Sequence, residues 1–419
     1  MIDLSFVREH PDLVKKNNAI RKCAVDVDEI IRLDQERRSL IGAVDEKRSE
    51  LKLGSKTKPG PEQIASLKKL GDEIAAIEGK QKPIEEELNA LLIQLPNLTD
   101  ESVPEGKDDS GNVEITVWGE KPTFDFKPKA HEELGADMDL IDTERGAKVS
   151  GSRFWYLKND LYFLEFAIVQ YASYFMKQKG FIPMLPPMIV RERAMYGTGF
   201  FPADKNEIYK VNEDEDDLYL VGTAEVPLAS YHADEELDFA NGPKKYFGFS
   251  SCFRREAGTY GKDTNGILRG HQFDKIEMFV FADQETSWAM HEEMLAIAEE
   301  FWQSLGIPYH VLNMCSGDIG APNAKKYDIE GWIPAQNAYR ELASCSHDTD
   351  YQSRRLNIKY RDEAGALKLA HTLNNTVCAL GRTIIAIMEN YQQKDGSITV
   401  PQVLQPFMQG QASIQKKES

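Results

Sequence analysis

Two stretches in the N-terminal part of this 419-residue chain place side chains at alternating three- and four-residue spacing, which forms a seam along one face of a helix. Between them lies GSKTKPGP, residues 54–61, whose Gly and Pro residues end the first helix and turn the chain. Two helices joined by so short a turn pack antiparallel, so the pattern predicts a coiled-coil arm over about residues 27–95. The seam residues are Ile30, Leu33, Arg37, Leu40, Val44, Lys47 and Leu51 in the first helix, and Leu70, Ile74, Ile77, Gln81, Ile84, Leu88, Leu91 and Leu95 in the second.

At 1.5 Å per residue the arm would extend on the order of 40–50 Å, with a kink expected at Pro83 in the second helix. Its tip is basic, with only Glu50 opposing five cations in that window. Two interpretations stay open from the residues alone: a solvated helix end, or a contact to the phosphate backbone of a nucleic acid. The basic residues of the tip are Lys47, Arg48, Lys52, Lys56 and Lys58.

Composition limits the classes of protein to consider. A hydrophobic fraction of 41% is enough for one large core and a second, smaller domain, and the net charge of −18 requires any contact to RNA to come from local patches. Neither a secretory signal nor a membrane span is expected. The five cysteines are odd in number and scattered, which favours a reduced, cytoplasmic setting without disulfides or structural zinc; they are Cys23, Cys252, Cys315, Cys345 and Cys378.

The run from Lys244 to Phe281 is interpreted as two aromatic-rich strands joined by a Gly-rich loop. Alternation places Arg254 and Glu256 on one face of the first strand, and Phe273 and Glu277 on one face of the second. A guanidinium can fork onto a phosphate or carboxylate, and an aromatic ring can stack on a base. These residues therefore suit a nucleotide together with a second substrate that carries an amine.

Elsewhere in residues 130–419 the pattern predicts several antiparallel strands, with helices near 158–179, 284–305 and 375–392. His371 to Gln392 is interpreted as an apolar helix that carries Arg382, a charge that needs a partner when buried. The stretch GFIPMLPPMIV, Gly180 to Val190, is interpreted as including a strand through Pro187. The phosphate-binding GxxxxGK[ST] loop is absent from the sequence, which disfavours a P-loop nucleotide site.

Three of these segments resemble the motifs of the class II aminoacyl-tRNA synthetases. Lys244 to Phe281 resembles motif 2, His371 to Gln392 resembles motif 3, and Gly180 to Val190 resembles motif 1. The N-terminal hairpin resembles the tRNA-binding arm of the seryl-tRNA synthetases, as do the segments from Gln94 to Asn112, Val149 to Asp160 and Val221 to Leu228. The resemblance implies an α+β fold, in which an antiparallel β-sheet flanked by helices follows a long antiparallel helical arm. It also implies a tRNA-binding domain at 1–103 and a catalytic domain at 104–419.

The resemblance assigns ATP and its Mg²⁺ to a set of residues. Arg254 would bind the α-phosphate and the substrate carboxylate, Phe273 would stack on adenine, and Glu256 would hold the adenine amino group. Arg382 would reach the γ-phosphate side and Arg269 would be a second phosphate contact, so Arg254, Arg269 and Arg382 are the implied catalytic residues. Glu341 with Ser344 would hold Mg²⁺ on ATP, although Glu341 alone would be taken for an ordinary ion-paired residue. Arg255, Leu342 and Ala343 complete the implied ATP site.

Serine recognition is implied for Thr223, Glu225, Glu277 and Thr376 together with Arg254. A buried carboxylate and hydroxyl reject alanine because they would be left unpaired. Taken alone, Thr376 would be a helix N-cap. Many bacterial members of the family have Asn-Gly-Ser where this chain has Asn374-Asn375-Thr376. The hydroxyl group is kept, but the sequence leaves open which hydrogen bond it makes.

The resemblance implies a homodimeric ligase that activates serine with ATP and transfers it to serine tRNA, whose long variable arm the helical arm grips, and to selenocysteine tRNA where one exists. Two rivals stand beside it: an enzyme that loads a small amino acid on a carrier protein, and an inactive RNA-binding protein. The intact arm argues against the first. The joint presence of Arg254, Glu256, Phe273, Glu341 and Arg382 argues against the second.

Overall fold

The computed structural model of the chain describes residues 1–55, 60–212, 215–257 and 266–416. It divides into two compact units, one formed by Met1–Leu98 and the other by the residues from Thr99 onward. None of the helices in the described ranges combines the length and the apolar composition that crossing a membrane requires.

The N-terminal unit contains four helices, and the last two form the predicted arm. They are α1 (Leu4–Glu9), α2 (Pro11–Ile20), α3 (Val27–Gly54) and α4 (Pro61–Leu92). Asp26 caps α3 by accepting a hydrogen bond from the backbone N–H of Asp28 at 2.9 Å. Helices α3 and α4 pack on each other, which confirms the coiled coil, and α4 is one continuous helix through Pro83. The buried seam includes Ile30, Leu33, Val44, Ile74 and Leu88.

One buried carboxylate lies at the base of the arm. Asp34 of α3 accepts hydrogen bonds from Arg8 at 3.0 Å and from Arg37 at 2.8 Å. Burial raises the pKa of Asp34, but the two guanidinium groups outweigh it and hold this pKa below its usual value. The ion pair with Arg8 therefore ties the start of the arm to α1, whereas Arg37 pairs with Asp34 within α3.

The C-terminal unit is built on antiparallel strands flanked by helices. The helices are α5 (His131–Asp137), α6 (Thr143–Ser150), α7 (Asp160–Gln178), α8 (Glu192–Thr198), α9 (Glu225–Ser230), α10 (Ser287–Ser304), α11 (Tyr351–Leu356) and α12 (Leu380–Asn390). The strands are β1 (Val113–Trp118), β2 (Ile141–Asp142), β3 (Tyr156–Leu157), β4 (Ile182–Met184), β5 (Ile189–Arg191), β6 (Leu218–Leu220), β7 (Glu236–Leu237), β8 (Lys244–Phe253), β9 (Gln272–Ala282), β10 (Tyr309–Asn313), β11 (Lys325–Ile333), β12 (Ala338–His347), β13 (Lys359–Arg361), β14 (Leu367–Leu369), β15 (His371–Ala379), β16 (Ile398–Thr399) and β17 (Ser413–Ile414).

Eight strands form the main sheet in the order β1-β10-β11-β12-β15-β9-β8-β4. All neighbours pair antiparallel except β4 and β8, which are parallel. The predicted antiparallel sheet is therefore confirmed. The strands β9, β15 and β12 lie near its centre, and α10 and α12 pack against them.

The predicted helix over His371 to Gln392 is wrong in its first half. Residues His371–Ala379 form β15, and only Leu380–Asn390 form a helix. Both faces of β15 are covered, so its apolar residues do not alternate with exposed ones, and such a run resembles a buried helix in sequence. The prediction of a strand through Pro187 is also wrong, since Pro187 lies in the connection between β4 and β5.

Candidate active site

A cavity opens where β9, β12 and β15 meet the first turn of α12. Most of the residues predicted to bind ATP line it, although they come from segments far apart in the chain. The lining residues are Arg254, Glu256, Ile267, Leu268, Arg269, Gly270, Phe273, Lys275, Glu341, Leu342, Ser344, Thr376, Ala379, Gly381 and Arg382.

Arg254 follows directly after the end of β8 and is held from two sides. Its backbone N–H donates to the carbonyl of His271 at 3.0 Å, and its Nε donates to the carbonyl of Gly222 at 3.1 Å. The guanidinium carbon lies 5.4 Å from the centroid of the Phe273 ring, within the range of a cation–π contact. The forked end of Arg254 and the ring of Phe273 thus lie side by side on the cavity wall.

Glu256 forms an ion pair with another residue of the cavity. Its backbone lies in the left-handed region at φ +47°, and its carboxylate accepts a hydrogen bond from Arg269 at 2.9 Å. Arg269 lies just before β9, so this pair links the segment after β8 to the segment before β9. Charge-assisted hydrogen bonds of this kind fix side-chain direction.

Glu341 and Arg382 form a second charged pair. Arg382 lies in the first turn of α12, where the helix dipole disfavours a cation, and it donates to the backbone carbonyl of Glu341 at 2.7 Å. Its guanidinium also lies 3.3 Å from the Glu341 carboxylate. Burial raises the pKa of Glu341, but the positive charges of Arg382, Lys326 and Arg254 outweigh it and lower this pKa to about 2. Glu341 is therefore a carboxylate at neutral pH.

Ser344 lies on the same strand as Glu341 and also lines the cavity. A carboxylate and a hydroxyl are hard oxygen ligands, which Mg²⁺ prefers. The remaining ligands of such an ion would be water molecules and oxygens of the nucleotide. On the neighbouring strand β11, Lys326 donates to Asp328 at 3.0 Å, and Asp328 is the register partner of Ser344 on β12. Neither Lys326 nor Asp328 is among the site residues predicted from the sequence.

The residues predicted to recognise serine surround one buried carboxylate. Glu277 on β9 accepts a hydrogen bond from Thr376 of β15 at 3.3 Å, and Thr223 donates to it at 3.5 Å. Lys275, two residues before Glu277 on β9, forms an ion pair with it. Thr376 is a strand residue paired with Glu277, so the alternative of a helix N-cap is wrong.

Glu225, the first residue of α9, lies close to this group. Its Oε1 accepts a hydrogen bond from Gln352 at 2.8 Å, and its backbone N–H donates to the Thr223 hydroxyl at 3.2 Å. Burial and the negative charges of Asp348 and Glu277 raise the pKa of Glu225 to about 8, although Lys275 acts in the opposite direction. The pocket therefore holds more carboxyl groups than its own cations can balance, and an ammonium group of a ligand would favour the ionised form of Glu225.

The other predicted residues differ in where they lie. Leu342 lines the cavity, Ala343 belongs to the apolar core, and the Arg255 side chain is exposed while its backbone N–H donates to the Glu207 carbonyl at 2.8 Å. Lys275 could have been found in the sequence, because alternation along β9 places it on the same face as Glu277. Gln352 carries no comparable signal, because its partner Glu225 is distant in the chain.

At the arm, the structure pairs two of the predicted tip cations with acids of the opposite helix. Lys47 contacts Glu73 at 2.6 Å and Arg48 contacts Glu78 at 2.7 Å. Lys52 is exposed near the end of α3. Lys56 and Lys58 lie outside the described residues.

Comparison with known proteins agrees with this geometry. Residues 209–391 match the tRNA synthetase class II core domain (G, H, P, S and T), and residues 1–99 match the seryl-tRNA synthetase N-terminal domain. The serine–tRNA ligase of Fervidobacterium nodosum is 45% identical, over 97% of this chain and 98% of its own.

Two solved structures extend the likeness to the whole chain. The seryl-tRNA synthetase of Pyrococcus horikoshii complexed with ATP has a TM-score of 0.93 and 41% identity, covering all of both chains. The cytoplasmic serine–tRNA ligase of Naegleria fowleri in complex with AMP has a TM-score of 0.90 and 35% identity, covering 100% of this chain and 99% of its own.

The antiparallel sheet, with a cleft of arginines and carboxylates at its centre, defines a class II aminoacyl-tRNA synthetase. Within that class the N-terminal unit and the full-length matches are decisive. The chain belongs to the seryl-tRNA synthetase family.

Proposed function

We propose that this protein activates serine with ATP in the cavity between β9, β12 and β15 and then transfers the seryl group to tRNA. One observation carries the proposal. The charged residues Arg254, Glu341 and Arg382 line a cavity that also reaches Thr376, whose hydroxyl donates to the buried Glu277. A nucleotide site and a small polar pocket thus adjoin.

In the first step an oxygen of the serine carboxylate bonds to the α-phosphorus of ATP, and pyrophosphate leaves with the electron pair of the broken bond. The carboxylate is already ionised at neutral pH, so the step needs positioning and neutralisation of charge rather than a general base. Arg254 would bridge the α-phosphate and the serine carboxylate. Phe273 would stack on adenine, and Arg269 and Arg382 would contact the remaining phosphates.

Mg²⁺ bound with ATP would neutralise charge on the phosphates. Glu341 and Ser344 would hold it, because the low pKa of Glu341 keeps the carboxylate ionised across the physiological range. Arg382, which lies beside Glu341, would then share the carboxylate with the metal or turn towards a phosphate.

Serine would be distinguished from other amino acids by the hydrogen bonds that its ammonium and hydroxyl groups make. Glu225 and Thr223 would take the ammonium group, and Glu277 with Thr376 would take the hydroxyl. Alanine would leave Glu277 and Thr376 without that partner, which costs about 1–3 kcal/mol for a buried polar group. Threonine would need room for an additional methyl group.

We infer that the N-terminal domain, 1–103, binds the tRNA while the catalytic domain, 104–419, carries out both chemical steps. The tip residues Lys47, Arg48, Lys52, Lys56 and Lys58 are the proposed phosphate contacts, and a cytoplasmic homodimer is the proposed form of the enzyme. The partner would cover the apolar face of α7 and β4, where Phe163, Phe166 and Ile182 are about half exposed.

The test combines two assays on the intact protein. Serine-dependent exchange of pyrophosphate into ATP reports activation, and acceptance of serine by tRNA reports transfer. We expect both reactions to require Mg²⁺ and not to occur when alanine replaces serine. Exchange without charging of tRNA would favour the carrier-protein rival, and the absence of both would favour the inactive RNA-binding protein.

A further inference from the structure

Gln352 is a buried residue of α11 that makes its hydrogen bonds in the interior of the C-terminal unit. Its Nε2 group donates to the Glu225 carboxylate at 2.8 Å and to the backbone carbonyl of Thr198 at 3.3 Å. A backbone carbonyl can only accept, so the NH₂ end of the amide must face this pair of oxygens. The Gln352 Oε1 has no hydrogen-bond partner among the described residues, so the side chain contributes its donors alone.

The hydrogen bond from Gln352 fixes the direction of the Glu225 carboxylate, on which the surrounding charges act from several sides. Its carboxylate is surrounded by Asp348 from the end of β12 and by Glu277 on β9, which repel it, while Lys275 on β9 attracts it. Without a donor behind it, the carboxylate would be drawn towards Lys275. The donor from Gln352 fixes one oxygen, Oε1, and leaves the other, Oε2, available to a ligand.

α11 is itself anchored, which makes Gln352 a rigid support. Arg355 of α11 donates to the carbonyl of Tyr196 in α8 at 2.8 Å. Its other amino group donates at 2.6 Å to the hydroxyl of Tyr351, a residue of α11 itself, which fixes the direction of the guanidinium. The Gln352 contact to Thr198 ends at the last residue of α8. A donor carried on a fixed element holds its partner more accurately than one on a loop.

We propose that Gln352 is a positioning residue for serine binding: it holds the Glu225 carboxylate so that its second oxygen accepts from the α-ammonium group. The inference rests on the proposed function, in which Glu225 binds that ammonium. It adds that the segment after β12, outside all three synthetase motifs, controls the affinity for the amino acid and not for the nucleotide.

The test uses Gln352→Met, which keeps the length of the side chain and removes the donors. Serine and ATP are varied separately in pyrophosphate exchange. We expect the KM for serine to rise about tenfold or more, because the donor serves a charged group, while the KM for ATP stays within about twofold.

Gln392→Met is the matched control, since Gln392 is also buried and donates to the Lys129 and Glu389 carbonyls at 3.0 and 2.9 Å. It should lower the melting temperature and leave the KM for serine unchanged. An equal rise of this KM in both methionine variants, or equal rises for serine and ATP in Gln352→Met, would show a structural role only and overturn the inference.

Gln352→Glu supplies a second test, the pH dependence of the serine KM, which a mere change in packing would not produce. The carboxyl group that this variant introduces can still donate to Glu225 while it is protonated, whereas its ionised form repels Glu225. The ratio of the variant's serine KM to that of the wild type should therefore increase with pH. A ratio that does not change with pH would contradict the inference.

Glu225→Gln distinguishes failure of the proposed function from failure of the role of Gln352 alone. If it leaves the KM for serine unchanged, the proposed role of Glu225 fails. If it raises this KM while Gln352→Met does not, only the role of Gln352 fails.

Discussion

Glu225 gives serine binding a pH dependence whose sign follows from its environment. With its pKa raised to about 8, chiefly by burial, the carboxyl holds a proton at neutral pH, and an incoming ammonium favours the ionised form. Binding therefore releases a proton, and the KM for serine should fall as pH rises from about 6.5 towards 8, by at most about tenfold per pH unit for one proton. Initial rates of pyrophosphate exchange at saturating ATP measure this.

Glu225→Gln removes the titrating group and should flatten that profile at a higher KM. A wild-type KM that stays constant over the same range would contradict the assignment. Asp348 also has a raised pKa of about 7, chiefly through burial, so any slope left in the variant belongs to it.

The Thr376 hydroxyl is expected to contribute to the use of serine. Thr376→Val keeps the shape of the side chain and removes the donor to Glu277, so kcat/KM for serine should fall about tenfold or more with little change in the KM for ATP. Thr372→Val on the same strand is the control, because the buried Thr372 hydroxyl has no hydrogen-bond partner within the described part of the chain. Equal losses in both variants would mean that Thr376 only packs β15.

Residue chemistry was only partly predictable. The resemblance assigned Arg254, Phe273 and Arg382 to one site, because a short motif is defined by the type and the order of its residues. It did not reveal that Lys275 neutralises Glu277 or that Gln352 supports Glu225. Such partners are set by the packing of distant segments, so a local pattern does not encode them.

At the scale of elements, the arm was the easiest part to predict, because its helices are local and regularly spaced. The strand β15 was the hardest. Its residues HTLNNTVCA are buried on both faces, so no alternation marks a strand, and the helix that follows extends the apolar run. The partners that fix it as a strand, β9 and β12, are far away in sequence.

Lys47 can be tested for a role beyond its ion pair with Glu73. Lys47→Glu breaks the pair, and the double variant Lys47→Glu with Glu73→Lys restores it with the charges exchanged. If Lys47 contacts phosphate, the double variant should recover the melting temperature of the wild type but charge tRNA more slowly, with a smaller dependence on salt. Full recovery of charging would assign Lys47 to arm stability alone.

The arm as a whole should serve the tRNA and not the adenylate. Replacing the stretch between Ile30 and Leu91 by a short linker leaves every residue assigned to ATP and serine in place. Serine-dependent exchange should stay near the wild-type rate, while transfer to tRNA falls by orders of magnitude. Efficient charging by the shortened enzyme would show that the arm has another partner.

For the whole molecule, the exposed aromatic face of α7 predicts a twofold dimer. Phe166→Asp places a charge on that face and should yield a monomer by light scattering, with loss of exchange activity. Ile115→Asp is the control, because Ile115 is equally exposed but lies on β1, at the other edge of the main sheet from β4. A wild-type monomer with full activity at micromolar concentration would contradict the prediction.

The position of β1 has a consequence during synthesis of the chain. Among the described strands of the main sheet it pairs with β10 alone, with Val113 opposite Asn313, so its partner is translated roughly 200 residues later. At roughly 5–20 residues per second, β1 emerges from the ribosome about 10–40 s before β10 does. Throughout that interval the backbone N–H and C=O groups that will pair with β10 are open to other nascent chains. The valine and isoleucine side chains of β1, which stay about half exposed even in the folded protein, are open with them, and this makes the edge a natural site for chaperone protection.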